Sequence, residues 1–338
     1  MPFTNFRLSL YAATAICFLL IVFILSTIDI SQLSFNSTEH LQSFKTLFIS
    51  ILLEAIPFIL LGVLLSALIQ SFVSEQMIRR WTPSNPVLGI LFACMLGILF
   101  PMCECGMIPV VRRLISKGMP VYIGVVFILT GPIINPIVFA ATFMAFRNHP
   151  AMAYSRMGLA FVVAAIIGIL LYRFVKDNPL RNNRSPLSGH DTREGHQHQH
   201  EHQDQGKLMT FLVHASDEFF EMGKYLVLGS LLTALIQIFI QRETLVDLGQ
   251  GPLSSHLFMM GFAYVMSLCS TSDAFVASSF QTTFTSSSLL TFLVFGPMLD
   301  FKSTLMLLSV FKTKFVLILS LLVAITVLAG GLLWGGLL

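Results

Sequence analysis

PVLGILFACMLGILFPMCECGM, residues 86–107, runs through sixteen apolar residues from Pro86 to Pro101 and then sets two thiols and a carboxylate, Cys103, Glu104 and Cys105, directly behind them. Polar and ionisable groups at membrane depth are costly and mark interior paths. A sparser version of the same pattern recurs at Cys269, followed by Ser270-Thr271-Ser272-Asp273. Chemistry repeated at matched places in two apolar halves points to a duplicated, helical membrane protein.

Composition carries the membrane reading further. Hydrophobic residues make up 55% of the 338-residue chain, charged residues 11%, and the mean hydropathy is +0.81. A soluble domain carries about a quarter charged residues, so this chain cannot hide its apolar surface in one aqueous core. The apolar runs are continuous, which argues for helices and against a barrel of alternating strands. A net charge of +3, confined to the loops, reads as topology and not as nucleic-acid affinity. The five cysteines (17, 94, 103, 105 and 269) are odd in number and all lie in apolar segments, which excludes a secreted disulfide scaffold. Arg7 and the apolar stretch from Leu8 to Leu25 lack a small-residue cleavage site and read as a retained first helix.

Helices are expected over 8–29, 44–72, 86–102, 120–146, 152–175, 216–240, 252–269, 287–310 and 315–336. Between Lys176 and Lys207 the chain turns polar and holds Pro179, Pro186 and five histidines, the signature of a solvated linker. The domains are then 1–43, a first helix and connector; 44–175, membrane repeat 1; 176–210, a His-rich cytoplasmic linker; and 211–338, membrane repeat 2. Leu52–Gln70 aligns without gaps on Phe219–Gln237, with nine of 19 positions identical, among them Glu54/Glu221, Gly62/Gly229 and Gln70/Gln237. Phe127-x-x-x-Gly131-Pro132-x-x-Asn135 matches Phe292-x-x-x-Gly296-Pro297-x-x-Asp300. The charge rule orients the copies. Arg79, Arg80, Arg112, Arg113 and Lys117 all fall on the cytoplasmic side if the chain turns back near Cys103–Gly106 in a re-entrant hairpin, whereas Ser270–Ser288 holds no Lys or Arg. Inverted repeats with re-entrant or broken helices are therefore favoured over parallel full spans.

Each constellation has a plain alternative. Cys103 and Cys105 are soft donors, and with Gly106 and Pro109 after them the backbone is expected to leave regular helix; Cys269 joins them if the repeats meet. Cys17 and Cys94 read as small packing residues. The Gly131-Pro132 and Gly296-Pro297 steps break helices in corresponding places, a pointer to a transport site, and Asn135 and Asp300 follow as polar ligands; a structural kink is the alternative. Glu54 and Glu221 are candidate proton carriers, although Glu221 has the charged neighbours of a helix end. Asp300 and Lys302 are placed to pair with each other, and Asp273 reads equally as a solute ligand or an N-cap. His196, His198, His200 and His202 would bind a metal loosely in the linker. Walker, HExxH and GxSxG motifs are absent, and nothing calls for a cofactor or for enzymatic chemistry.

PMCECGMIPVVRRL (101–114), KGMP (117–120) and GPIINP (131–136), with LLEAIP (52–57) and CSTSD (269–273), resemble a family of bacterial predicted permeases that includes the YraQ-like proteins and the ArsP organoarsenical efflux permeases. The resemblance covers most of the chain outside the first helix and the linker. It implies a multi-pass permease of the bacterial inner membrane, with Cys103 and Cys105 where paired cysteines serve the extrusion of trivalent methylated arsenicals. The expectation is an all-α polytopic permease of a thiophilic solute, either a soft metal ion or a trivalent metalloid, moved outward. Its substrate site would comprise Cys103, Glu104, Cys105, Cys269, Asn135, Asp300, Asp273 and the two Gly-Pro steps. Expected partners are the bilayer, the solute, and a second copy or accessory subunit. The rivals are a membrane thiol oxidoreductase using Cys103 and Cys105 and a metal-sensing subunit that does not transport.

Overall fold

A computed structural model describes residues 38–83, 85–100, 102–175, 179–180, 205–239 and 251–335. The expected first helix with Cys17, and the histidine tract at 196–202, lie outside these. The chain divides at Lys45 into two compact units. The described part of the first, 38–45, is the opening of α1 (Thr38–Phe72). The second unit, Thr46–Leu338, holds the rest of α1 and every later element.

The described chain is helical, as the unalternating apolar runs require. After α1 come α2 (Glu75–Trp81), α3 (Pro86–Leu99), α4 (Glu104–Ser116), α5 (Val121–Thr130), α6 (Pro136–Ala145) and α7 (Ala151–Phe174). Beyond the linker come α8 (Gln205–Phe239), α9 (Pro252–Met266), α10 (Ser272–Ser278), α11 (Ser286–Met298), α12 (Phe301–Val310) and α13 (Thr313–Trp334). Among the described residues, five stretches are long and apolar enough to cross a membrane: Gln42–Gln70, Ala151–Phe174, Ala215–Gln237, Ser286–Val310 and Thr313–Trp334. α8 starts at Gln205, so its first turns take in residues that composition assigned to the linker.

Two expected helices are broken, one at its Gly-Pro step and one just after it. The 120–146 run parts into α5 and α6 around Gly131–Asn135. Asn135 spans that break: its Nδ2 donates to the Gly131 carbonyl at 3.1 Å, and its Oδ1 accepts the Val138 N–H at 2.9 Å, capping α6. The 287–310 run parts at Leu299–Asp300. There Gly296 and Pro297 stay in the last turn of α11, and the break follows them. A proline removes one backbone donor without obliging the helix to stop at once; the Leu299 N–H still reaches the Phe295 carbonyl at 2.9 Å.

The stretch after Cys103 departs from expectation. Residues 104–116 form a regular helix with Pro109 inside it, and Cys103 is its N-cap residue. Gly106 and Met107 both donate to the Cys103 carbonyl, at 3.1 and 3.2 Å, so the turn is wound before Pro109 is reached. What Pro109 removes is the helical bond to the Cys105 carbonyl.

Directions follow from contacts. A Cβ on Gly62 would strike the Gly106 carbonyl oxygen, so α1 and α4 cross backbone to backbone at these glycines. The Lys117 ammonium donates to the carbonyls of Ile69 (2.8 Å), Gln70 (2.7 Å) and Val73 at the end of α1. Hence α4 runs parallel to α1. The chain leaves that end in α3 and returns in α4, a hairpin with Cys103 at its tip, as the charge pattern anticipates. Helices of 14 and 13 residues span about 20 Å each, short of the ~30 Å hydrocarbon core. Ser66 donates to Glu218 at 2.8 Å, and Gly229 packs on Lys302 near Glu104, so α8 runs antiparallel to α1. Packing on the two sides of the linker falls into matched pairs: α3 on α5 and α9 on α11, α5 on α7 and α11 on α13, α4 on α5 and α10 on α11. Contacts across the linker include α4 on α12, α10 on α6, α7 on α13, α7 on α11 and α5 on α11.

Candidate functional site

The tip of the α3–α4 hairpin meets a tight recess of about 10 Å³, room for about one water molecule, lined by Ile51, Glu54, Ala55, Phe58, Cys103, Glu104, Cys105, Cys269 and Lys302. Four segments distant in sequence build it. α1 supplies Glu54 and the apolar wall; the α4 N-terminus supplies both thiols of the Cys-Glu-Cys run. The unwound segment between α9 and α10 brings Cys269, and α12 brings Lys302. That segment starts at Ser267, whose left-handed φ of 46° turns the chain out of α9, a conformation unusual for a residue with a Cβ.

All three thiols are free; Cys105 is buried, whereas Cys103 and Cys269 are half-buried. They share the recess without forming a chelate: among the described residues no three His, Cys, Asp or Glu side chains are grouped to hold a metal ion. Cys94 is buried in α3, where it packs. The Lys302 ammonium stands between two carboxylates, 3.6 Å from Glu104 Oε1 and 3.9 Å from Asp300 Oδ2. Neither distance is that of a direct hydrogen bond. Glu104 Oε2 and Asp300 Oδ2 are buried with no hydrogen-bond partner.

The other expected site residues fall elsewhere. Asn135 is spent on the α5–α6 break. Asp300 caps α12, its Oδ1 accepting the Ser303 N–H at 2.5 Å, and it meets the recess only through Lys302. Gly131 packs on the end of the Met107 side chain of α4, which would have to shift to admit a Cβ there. Of the two readings of Asp273 neither describes its contacts: Thr271 is the N-cap residue of α10, and Asp273 in the first turn pairs with Arg156. Glu221 lies within α8, not at a helix end, and binds Arg112 at 2.9 Å. Beside it Arg113 and Glu218 approach to 3.5 Å.

Sequence reading passed over Arg156. It lies in α7 with 0% of its side chain exposed; Nη2 donates to Asp273 Oδ2 at 2.7 Å and Nη1 to Thr142 Oγ1 at 2.8 Å. Its place inside the apolar 152–175 run was the available signal. The long-range ion pairs among the described residues share one property: Arg112–Glu221, Arg113–Glu218, Glu104–Lys302 and Arg156–Asp273 each join a residue before the linker to one after it.

Known proteins resemble this chain over most of its length. The chain is 51% identical to the UPF0718 protein YcgR of Bacillus subtilis over 292 residues, 86% of this chain and 97% of that one. It is 39% identical over 273 residues to a putative two-component membrane permease complex subunit of Streptococcus mutans, covering 80% of this chain and 88% of that protein. No solved structure matches. The model of the ArsP_1 family, described as predicted permeases, matches residues 40–336, and the chain belongs to that family.

Proposed function

We propose that this multi-pass permease moves a small thiophilic solute, a soft metal ion or a trivalent metalloid, outward across a bacterial inner membrane by way of the recess at the hairpin tip. The observation that carries this reading is the meeting of Cys103, Cys105 and Cys269, contributed from opposite sides of the linker, in one recess with Glu54 and Glu104. Thiols suit soft electrophiles, and nearby carboxylates suit their positive charge. Without a preformed cluster, the solute would draw the thiols together on binding. Antiparallel α1 and α8, matched helix packing and crossed ion pairs support two inverted repeats that rock about the recess.

Glu54, facing the recess, is the better placed of the two candidate proton carriers, since Glu221 is held by Arg112. The histidine tract would buffer metal on the cytoplasmic side. The name of the streptococcal relative suggests that a second membrane subunit joins the permease.

The test is flux in inverted membrane vesicles, using Cu(I), Cd(II) and trivalent methylated arsenicals as probes. Wild type should accumulate at least one of them, and Cys103→Ser/Cys105→Ser should lower that flux by about tenfold or more, as befits the loss of about 1.4 kcal/mol or more of binding. Equal flux in both proteins would remove the cysteines from the mechanism.

A further inference from the structure

We infer that Arg156 is a positioning residue that holds Cys269 in the wall of the recess, a role that rests on Cys269 serving the solute. Cys269 sits on the short unwound segment between α9 and α10, which lacks the hydrogen-bond ladder of a helix, although Ser267 and Ser270 beside it are buried. It is tied at its far end. The Asp273 N–H donates to the Cys269 carbonyl at 2.9 Å, and the Thr271 hydroxyl approaches the Cys269 sulfur at 3.6 Å. The Asp273 carboxylate, fixed relative to that carbonyl, is gripped by Arg156 at 2.7 Å. Arg156 is itself oriented by Thr142 of α6, whose hydroxyl in turn donates to the Val138 carbonyl at 2.8 Å. A chain of short contacts thus runs from α6 and α7, through Arg156 and Asp273, to the thiol-bearing segment on the other side of the linker.

Several features set this pair apart from the other three. It is the shortest of the four and the most deeply buried, with side-chain exposures of 0% and 3%. A planar guanidinium makes a directional bond at each end, which an ammonium does less well. Asp273 Oδ1 and Arg156 Nε are buried without hydrogen-bond partners, so the mutual contact and the Thr142 bond carry much of the pair's fixation. Loss of either member would leave a charge in an apolar interior and release the segment.

The experiment measures how fast a maleimide labels Cys269 in membranes, in full-length protein whose other four cysteines are replaced, alongside a matched protein that keeps only Cys103. Arg156→Gln and Asp273→Asn should each speed Cys269 labelling by about tenfold or more, because accessibility follows local opening. Cys103 labelling should stay within about twofold of the parent, and Arg156→Lys, which keeps the charge but loses the two-ended fork, should restore only part of the protection. General loosening of the protein would move both cysteines together. Should the single variants fail to fold, Arg156→Met/Asp273→Leu removes both charges without stranding one, and the same difference between Cys269 and Cys103 is expected. Unchanged Cys269 labelling, or parallel changes at both cysteines, would overturn the proposal. No solute enters the assay, so a failure of the thiophilic-substrate reading would show as unchanged vesicle flux while this result stood.

Discussion

At the scale of single residues, burial decides which charges matter. Arg112 and Glu221 make a 2.9 Å ion pair, yet their side chains keep 21% and 25% of their exposure. Solvent screening limits such pairs to about 1 kcal/mol or less. Arg156 and Asp273 have no such relief, and stripping one member of a buried pair costs about 3–5 kcal/mol. Glu221→Gln should therefore shift the thermal unfolding midpoint in detergent slightly, and Asp273→Asn should shift it by several times as much; equal shifts would contradict the burial argument. Asn135 makes the complementary case. With both ends of its amide spent on the α5–α6 break, Asn135→Ala should cost about 1–2 kcal/mol. Asn135→Ser, which can still cap α6, should recover part of that loss and retain flux. If Asn135→Ser abolishes flux while leaving the unfolding midpoint near the parent's, the amide faces the solute after all. Neither role was legible in the sequence: motif spacing places Asn135 beside a helix break without saying which way its amide points. An arginine inside an apolar run signals a partner but does not name one 117 positions away.

At the scale of helices, glycines set how close the elements come. The Gly62/Gly229 match was visible by alignment, and its purpose becomes clear in the packing. Gly62 lets α1 lie against the Gly106 carbonyl, and Gly229 lets α8 lie against the Lys302 backbone. Small residues at membrane helix crossings allow this approach. The Gly62 crossing brings Glu54 and Phe58 to the Cys103–Cys105 turn, so it helps to shape the recess. Gly62→Ala should force α1 off α4 at an overpacking cost of about 1–3 kcal/mol, and should reduce the yield of monodisperse protein in gel filtration. Gly223→Ala is the control: nothing lies within 4 Å of its added methyl, and the helix should tolerate or gain from the change. Matching losses at both positions would mean that the crossing is not the cause. The charge rule favours the α3–α4 hairpin, because a turn near Cys103 lets Arg112, Arg113 and Lys117 share a side with Arg79 and Arg80. The regular helix through Pro109 was not legible in the sequence. Proline in a sequence announces a missing hydrogen bond, whereas the carbonyl that loses it, here that of Cys105, is known only once the register of the helix is fixed.

At the scale of the whole molecule, the question is how the two sides of the linker are related. Sequence identity supports duplication in one 19-residue window and a few landmarks, and identity is blind to direction. Contacts supply direction: α1 passes from Glu54 beside the recess to Ser66 beside Glu218, while α8 passes from Glu218 to Gly229 beside Lys302. Aligned segments that run oppositely are what a two-fold axis in the membrane plane produces. Such an axis puts the end of α4 and the end of α10 on opposite faces of the bilayer, although both helices follow a cysteine-bearing turn. Ser116, at the last residue of α4, and Thr282, beyond α10, are both exposed. In protein whose native cysteines are replaced, Ser116→Cys should be blocked by an impermeant maleimide added from the cytoplasmic face, as the neighbouring Arg112, Arg113 and Lys117 require. Thr282→Cys should be blocked only from the other face. Labelling of both from one face would make the repeats parallel, and the crossed ion pairs would then have to be explained without rocking. With opposite faces established, each of the four ion pairs would link two bodies that move against each other, and the loosest of them, Glu104–Lys302 at 3.6 Å, is the one that lines the recess.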